Sequence, residues 1–228
     1  LSFSLALTLA LYGCSGADNT EDSDSTETVR VSLDGALAKG PFVLGSGVDV
    51  STLDSSYNPT GQVFSTVTID DSGAFALDFT HRGPAEIAGT GFYYNEVTGE
   101  LSGAAITLRA FYEVTQAGAQ SAYVNLVTHL THDRIATLVE GGATLSTAVL
   151  QAEAELQVAT GIGGSGFSPG VTGIEMDVIG GDTDGNAYLF GLSSVVAQAA
   201  ATRAGDSGSV DANLQELENM KFYHEKSS

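Results

Sequence analysis

Between residue 29 and about residue 123, apolar and polar residues alternate in short segments that are separated by turn-forming residues. Phe75, Leu77 and Phe79 show the pattern directly after the turn signal DSG at residues 71–73. Strict alternation over a few residues is typical of strands with one buried face. Short strands with frequent turns are typical of a β-sandwich. The pattern predicts an antiparallel β-sandwich of seven or eight strands over residues 29–123.

After Val124 the apolar residues lie three or four positions apart, which is the spacing of amphipathic helices. Residues 124–228 are therefore predicted to form a small helical domain of about four helices, and the fold class is α+β. Asparagine favours helix N-caps and glycine favours helix ends. These signals predict helices from Asn125 to Gly141, from Leu145 to Gly161, from Asp184 or Asn186 to near Gly205, and from Val210 to about Tyr223.

The predicted helices carry wider apolar faces than four alanine-rich helices can hide among themselves. Such faces are normally buried against a second layer of structure. The hairpin over residues 105–124 also runs into the first helix without a linker. We therefore expect the helices to dock on the sandwich, through Leu126, Leu130 and the face of the strand from Ile106 to Tyr112.

The N-terminal segment from Leu1 to Tyr12 has no charged residue and is rich in leucine and alanine. It has the length of a signal-peptide apolar region and is too short to span a bilayer. The following Leu11-Tyr12-Gly13-Cys14 resembles the lipobox of bacterial lipoproteins, although tyrosine is bulkier than the usual residue. This resemblance implies a signal peptide over residues 1–13, with a clipped start, and lipidation of Cys14. The alternatives are a secretory peptide that is cleaved elsewhere and a chance apolar N-terminus.

Cys14 is the sole cysteine, so it can form neither an intramolecular disulfide nor a thiolate zinc site. Residues 14–28 comprise this cysteine and an acidic stretch without large apolar side chains, which predicts a disordered tether. Ser15 follows the cysteine, and in lipoproteins such a residue implies sorting to the outer membrane. We therefore expect an outer-membrane lipoprotein that faces the periplasm or the cell surface, with the membrane as a partner through the lipid anchor.

The chain has 28 acidic and 8 basic residues, for a formal net charge of -20. Nucleic acids and anionic lipid surfaces attract clustered lysine and arginine, so this charge argues against both as partners. Envelope glycans or envelope proteins remain as candidate partners.

Three stretches of the predicted sandwich carry a family resemblance: GALAKGPFV from Gly35, VDV from Val48, and TIDDSGAF from Thr68. They resemble the transthyretin-like domain called carboxypeptidase regulatory-like, which implies a non-catalytic β-sandwich. The longer stretch from Gly35 to about Leu217 resembles bacterial secreted lipoproteins built on that domain. Its likeness rests on GPFVLGS, NPTGQVFST, GFYYNEVTGELS and YVNLVTHLTHDR. The larger resemblance implies a location and an architecture rather than an activity. Chains with this resemblance often extend further, so it also implies a C-terminal truncation after the polar ending YHEKSS of the 124–228 domain.

Two groups of residues are candidate metal ligands. His129 and His132 lie three positions apart on the first helix, a spacing that can place two imidazoles on one metal, but no motif supplies a third ligand. The competing interpretation packs one histidine against the sandwich and leaves the other in solvent. Asp182, Asp184 and Asn186 resemble the start of a calcium loop.

The calcium-loop pattern fails at two later positions, where Ala187 replaces the glycine and Ser193 replaces the glutamate. The remaining alternatives are a Ca²⁺ site of another kind and a turn that caps the third helix. We assign no cofactor and no catalytic residue from the sequence. The tetrapeptide GDSG at residues 205–208 matches a serine-protease motif, but no histidine signature accompanies it, so it is interpreted as a loop.

Tyr93 and Tyr94 are candidate glycan contacts, because exposed aromatic side chains mark binding sites. Adjacent strand residues face opposite sides of a sheet, so at least one aromatic ring of the FYY run should lie in the core.

The sequence leaves three candidate functions for the protein. The first is a lipid-anchored, non-catalytic envelope module. The second is a glycan-binding or adhesive lipoprotein, and the third is a metal-dependent hydrolase that uses Asp182, Asp184, His129 and His132.

Overall fold

The computed structural model describes residues 27–96 and 98–204. Seven strands precede three helices, and a short 3-10 turn at Gly173–Glu175 lies before the last helix. The strands are β1 (Val29–Ala38), β2 (Gly47–Leu53), β3 (Pro59–Val67), β4 (Ala74–His81), β5 (Gly83–Gly91), β6 (Ile106–Val114) and β7 (Gly118–Asn125). The helices are α1 (Leu126–Glu140), α2 (Leu145–Thr160) and α3 (Asp184–Ala204). The predicted α+β class is confirmed.

The strands form two sheets, with the orders β4-β1-β7 and β3-β2-β5-β6. All neighbouring pairs are antiparallel except β1 and β7, which run parallel from the Val31–Gly118 pair onward. The prediction of a purely antiparallel arrangement is therefore wrong at this pair. The reason is that β6 and β7 belong to different sheets, so the chain crosses between the sheets and β7 pairs with β1 instead of β6.

Gly35 in β1 is required by this strand pairing. A Cβ atom at Gly35 would lie 2.0 Å from the carbonyl oxygen of Ala122 in β7 and 2.7 Å from the ring of Phe75 in β4. Only glycine lets the three backbones approach so closely.

One cluster of buried side chains lies between the two sheets. Val31 and Leu33 of β1 face Val50 of β2 and Leu108 of β6 within this cluster, and each is fully buried. The alternation along β6 is clear, because Ile106, Leu108, Ala110, Tyr112 and Val114 are buried and the residues between them are not. The two facing sheets are compatible with the predicted sandwich.

The helix boundaries follow the capping residues. Asn125 caps α1 by accepting hydrogen bonds from the backbone N–H groups of Val127 and Thr128, and Gly161 ends α2 in the left-handed conformation, with a φ of 65°. The structure describes three helices. The fourth predicted helix, from Val210 to about Tyr223, lies outside the described residues.

The helices dock on the four-stranded sheet, but not through the predicted face of β6. The face from Ile106 to Tyr112 points into the cluster between the sheets. Phe111 points to the opposite side, where it packs against Ile135 and Val139 of α1. Leu126 and Leu130 contribute to a separate cluster within the helical part instead. The prediction chose the more apolar face of β6, and that face is already covered by the second sheet.

No helix among the described residues is long and apolar enough to cross a membrane.

Candidate functional site

The predicted lipidation site, Cys14, lies outside the described residues, as does the GDSG tetrapeptide at 205–208. The signal-peptide range 1–13 and most of the tether range 14–28 also lie there. These assignments remain predictions.

The candidate aromatic residues occupy different environments. Tyr93 is 1% exposed and packs against Phe42, with 6.1 Å between ring centroids. Tyr94 is half-buried and forms an isolated bridge with Leu101, and Phe92 is 43% exposed. The inference that one ring of this run lies in the core is therefore confirmed for Tyr93, and this ring offers no open face for a sugar.

A buried polar network lies beside Tyr93. The ammonium nitrogen of Lys39 is 2.6 Å from Glu96 Oε1, 2.8 Å from Ser193 Oγ and 5.7 Å from the centre of the Tyr93 ring. Lys39 and Ser193 are fully buried. We call Lys39, Glu96 and Ser193 the buried junction, because they connect the end of β1, the segment between β5 and β6, and α3.

Lysine and serine at this distance also occur in Ser–Lys hydrolases, so the direction of the hydrogen bonds matters. Here the ammonium group donates to Ser193 Oγ, and the serine proton goes to the Lys39 carbonyl oxygen, 2.6 Å away, or to Glu96 Oε1. A lysine that activates serine must instead accept the serine proton. Because both side chains are fully buried, the arrangement suits a structural role.

A groove of about 520 Å³ lies between the 93–103 segment and α3, next to the buried junction. The segment folds back on itself, because Asn95 N donates to Glu100 O at 2.8 Å and Ser102 N donates to Tyr93 O at 2.8 Å. Among the described lining residues, Glu100 is the one that carries a charge. The lining residues are Tyr93, Asn95, Thr98, Glu100, Leu101, Ser102, Gly103, Ser194, Ala197, Gln198 and Ala201.

The side chains of this groove are mainly hydroxyl, amide and small apolar groups. Gln198 and Thr98 are exposed, and Leu101 is 54% exposed. Sequence reasoning missed the groove because its two walls lie about a hundred residues apart in the chain.

His132 lies at the contact between α1 and the four-stranded sheet. Its Nε2 is 3.3 Å from Glu86 Oε2, its Nδ1 is 3.3 Å from Asp133 Oδ1, and its ring stacks on Phe111 at 4.5 Å. We call His132, Glu86 and Phe111 the histidine junction. Hydrogen bonding with His132 is the main cause that lowers the pKa of Glu86, and it outweighs the opposing effect of burial.

His129 and His132 are both about nine-tenths buried, so the expectation that one of them lies in solvent is wrong. The reason is that α1 is covered on one side by the sheet and on the other by α2, α3 and the 3-10 turn. Within residues 27–96 and 98–204, no group of three or more His, Cys, Asp or Glu side chains is placed to hold a metal ion.

The stretch from Asp182 to Asn186 forms the turn that starts α3. Thr183 Oγ1 accepts a hydrogen bond from Asn186 N, and the Asn186 side chain bonds to Asp177 N and Gly181 O. Asp184 lies in the first turn of α3, where a negative charge is favourable. These contacts are those of a helix-capping turn, which was one of the two alternatives for this stretch.

A second cavity, of about 380 Å³, lies between α2, α3 and residues 168–176. Val127, Leu150 and Met176 provide apolar walls, and Glu153 provides a carboxyl group. Burial raises the pKa of Glu153 to about 7, with a smaller contribution from the nearby Glu175 carboxylate. No sequence pattern indicates this cavity, because a glutamate on a helix is normally solvent-exposed.

Comparisons with known proteins give little further information. No family model matches the chain, and no curated protein matches it. A solved structure from Pseudomonas aeruginosa, described as a "putative carbohydrate binding protein", is 14% identical, covers 43% of this chain and 88% of its own, and has a TM-score of 0.29. A TM-score of this size establishes neither a common fold nor a common function.

Proposed function

We propose that this chain is a lipid-anchored, non-catalytic protein of the bacterial cell envelope, and that its folded part acts as an interaction module. The anchor is supported by Cys14, which follows an apolar segment and precedes an acidic stretch. Multiple acyl chains on one residue hold a protein stably at a membrane, whereas one chain is marginal.

The non-catalytic part of the proposal is supported by one observation: His132 of the hydrolase alternative, and the serine beside Lys39, are engaged in structural contacts. His132 contacts Glu86 and Phe111, and Asn186 bonds within its own turn. Ser193 is buried and accepts a hydrogen bond from Lys39. A hydrolase needs a nucleophile or activated water, a base and an open site within hydrogen-bond reach of one another.

A second candidate function, binding of an uncharged glycan, is favoured by the groove between the 93–103 segment and α3. Amide and hydroxyl groups can each donate and accept hydrogen bonds, which suits neighbouring sugar hydroxyls. Leu101, Ala197 and Ala201 offer apolar contact for the C–H faces of a sugar ring. Glu100 makes anionic sugars unfavourable at this site.

The anchor is tested by mass spectrometry of the N-terminal peptide of the protein made from its complete gene in a bacterial host. We expect a triacylated Cys14 at the mature N-terminus and fractionation with the outer membrane. A Cys14→Ser variant should be unmodified and lost from the membrane fraction. An unmodified cysteine, or cleavage at another site, would contradict the proposal.

The glycan function is tested by titrating the protein with a panel of neutral envelope oligosaccharides in a calorimeter. For an oligosaccharide that binds, Gln198→Ala should weaken binding about tenfold, because a sugar hydroxyl group buried in the groove loses its hydrogen-bond partner. Gln151→Ala is the matched control, since Gln151 is an exposed glutamine on α2, outside the groove. No binding to any glycan, or equal effects of the two variants, would exclude this function.

A further inference from the structure

We propose that the cavity between α2, α3 and residues 168–176 is a binding site for a primary amine on a short apolar chain. The amine is either a free alkylamine or the side chain of a lysine on a partner protein. This site is separate from the groove of the proposed function, and the inference does not depend on it.

The first observation is the position of the Glu153 carboxyl group. Its Oε1 accepts a hydrogen bond from Gly173 N at 2.8 Å, which fixes the group on the cavity wall. A Cβ atom at residue 173 would lie 2.7 Å from Val127 and 3.1 Å from Glu153 Oε1, so glycine is needed for this contact. The backbone therefore holds one carboxylate oxygen and leaves the other for a ligand.

The second observation is that no lysine or arginine among the described residues lines the cavity. Glu153 of α2, Glu175 of the 3-10 turn and Tyr188 of α3 are its charged or titratable groups, and α1 contributes only Val127. A partly buried carboxylate without a cation beside it is costly, which agrees with the raised pKa of Glu153, about 7. A bound ammonium group would supply the missing charge.

The third observation concerns Tyr188, which is 3% exposed and forms part of the cavity wall. Its hydroxyl group lies near the Thr160 hydroxyl, which is not part of the cavity lining, and burial raises the pKa of the phenol. An aromatic wall next to a carboxylate suits an ammonium group, which is attracted to both.

The walls also define the rest of the ligand. Val127, Ala154 and Met176 form apolar surface, and Leu150 and Val171 at the rim are 60% and 42% exposed. A volume of about 380 Å³ accommodates a chain of several methylene groups. An alkyl chain that ends in an amine satisfies both the apolar walls and the carboxylate.

The test titrates the full chain with pentylamine and with pentanol, its uncharged counterpart, by calorimetry at pH 5.5 and pH 8.5. Pentylamine should bind at least about tenfold more tightly than pentanol at pH 8.5. Because Glu153 is ionised at that pH and mostly neutral at pH 5.5, amine binding should weaken by up to about thirtyfold on acidification. Equal binding of the two probes, or binding that does not change with pH, would overturn the proposal.

Two variants locate the site. Glu153→Gln keeps an oxygen for Gly173 N and should abolish the preference for the amine, whereas the exposed Glu140→Gln should bind like the original protein. Ala154→Phe should block the cavity and remove binding of both probes without changing the carboxyl group. Retained amine preference in Glu153→Gln, or retained binding in a folded Ala154→Phe, would refute the site.

A short peptide with one lysine, compared with its ε-acetylated form, separates the two sources of the amine. Tighter binding of the lysine peptide than of pentylamine supports a partner protein, and tighter binding of pentylamine supports a free amine. If neither the peptide nor pentylamine binds, the proposal is wrong.

Discussion

The two junctions that attach helices to the sheets differ mainly in their access to water. In the buried junction, the Lys39 side chain is 0% exposed and the Glu96 side chain is 5% exposed. In the histidine junction, His132 contacts a Glu86 side chain that is 24% exposed, and an exposed Arg109 lies 3.4 Å from the same carboxylate. Removing one partner of the charged contact should therefore have different consequences for stability at the two junctions. Water can replace the lost partner at the histidine junction, but it does not reach the buried junction.

The buried junction also builds the groove. Glu96 belongs to the 93–103 segment and Ser193 belongs to α3, and these are the two walls of the groove. We infer that the groove keeps its shape because Lys39 holds both walls. The histidine junction fixes α1 on the four-stranded sheet, and none of its three residues lines the groove. Its strength depends on pH, because the pKa of Glu86 is lowered by His132.

The largest expected effect is that of Lys39→Met, which leaves the buried Glu96 carboxylate without a cation. Breaking a buried ion pair from one side typically lowers the free energy of unfolding by about 3–5 kcal/mol. Urea denaturation of the variant measures the loss. The double variant Lys39→Met/Glu96→Leu should recover most of it, and a loss below about 1 kcal/mol in the single variant would show that the two junctions do not differ.

Asn125→Ala tests whether a buried residue with uncharged hydrogen bonds stabilises the protein as the buried junction does. Asn125 caps α1 through its side-chain oxygen, and its Nδ2 donates to Gly173 O at 2.6 Å and to Met176 O at 2.9 Å. Loss of the cap and of two buried hydrogen bonds should lower the free energy of unfolding by about 2–4 kcal/mol. Asn125→Asp keeps the cap acceptor but turns a carboxylate oxygen toward the two carbonyl oxygens at a fully buried position, so its loss should be at least as large. A smaller loss in Asn125→Asp than in Asn125→Ala would contradict this account.

Glu153→Gln should stabilise the protein above neutral pH. The raised pKa of Glu153, about 7 against a usual 4.5, means that the folded state binds the proton more tightly than the unfolded state. Stability from this group is present below pH 4.5 and is lost as the pH rises to 7. The variant should therefore gain about 1–3 kcal/mol at pH 8, with little change at pH 4, in urea denaturation. A loss of stability at pH 8 would contradict the burial of this carboxyl group.

Glu86→Gln should have the smallest effect and the opposite pH dependence. The pKa of Glu86 is lowered, so its contribution is present above its unfolded value of 4.5 and is lost as the pH falls through the folded pKa. We expect a loss below about 1 kcal/mol at pH 6, because the contact is partly open to water. The difference from the original protein should shrink as the pH falls below 4.5. A larger loss would mean that this junction behaves as if it were buried.

The sequence predicted the elements better than their arrangement. Alternation found the strands and Asn125 and Gly161 marked helix ends, because these signals are local. The parallel pairing of β7 with β1 and the docking face at Phe111 were predicted wrongly, since both depend on which face of a strand the second sheet covers. Local periodicity shows which residues of β6 share a face, but it does not show which element packs against each face.

The site was less predictable than the fold. The candidate residues His132, Asp184 and Asn186 were chosen for their chemistry, and the structure places them in packing and capping contacts. Lys39 and Ser193 were not considered, because 154 residues separate them and a lysine is rarely fully buried. Glu153 was also missed, because a glutamate on a helix is normally exposed and its burial here is created by the glycine-rich segment before Met176.

The central structural claim is that the buried junction makes the sheets and α3 one unit, with the groove between them. Hydrogen exchange followed by mass spectrometry over a urea series tests it directly, by comparing peptides from β5 with peptides from α3. We predict coincident loss of protection in the original protein and earlier loss in α3 for Lys39→Met. Loss of protection in α3 before β5 in the original protein would contradict the claim.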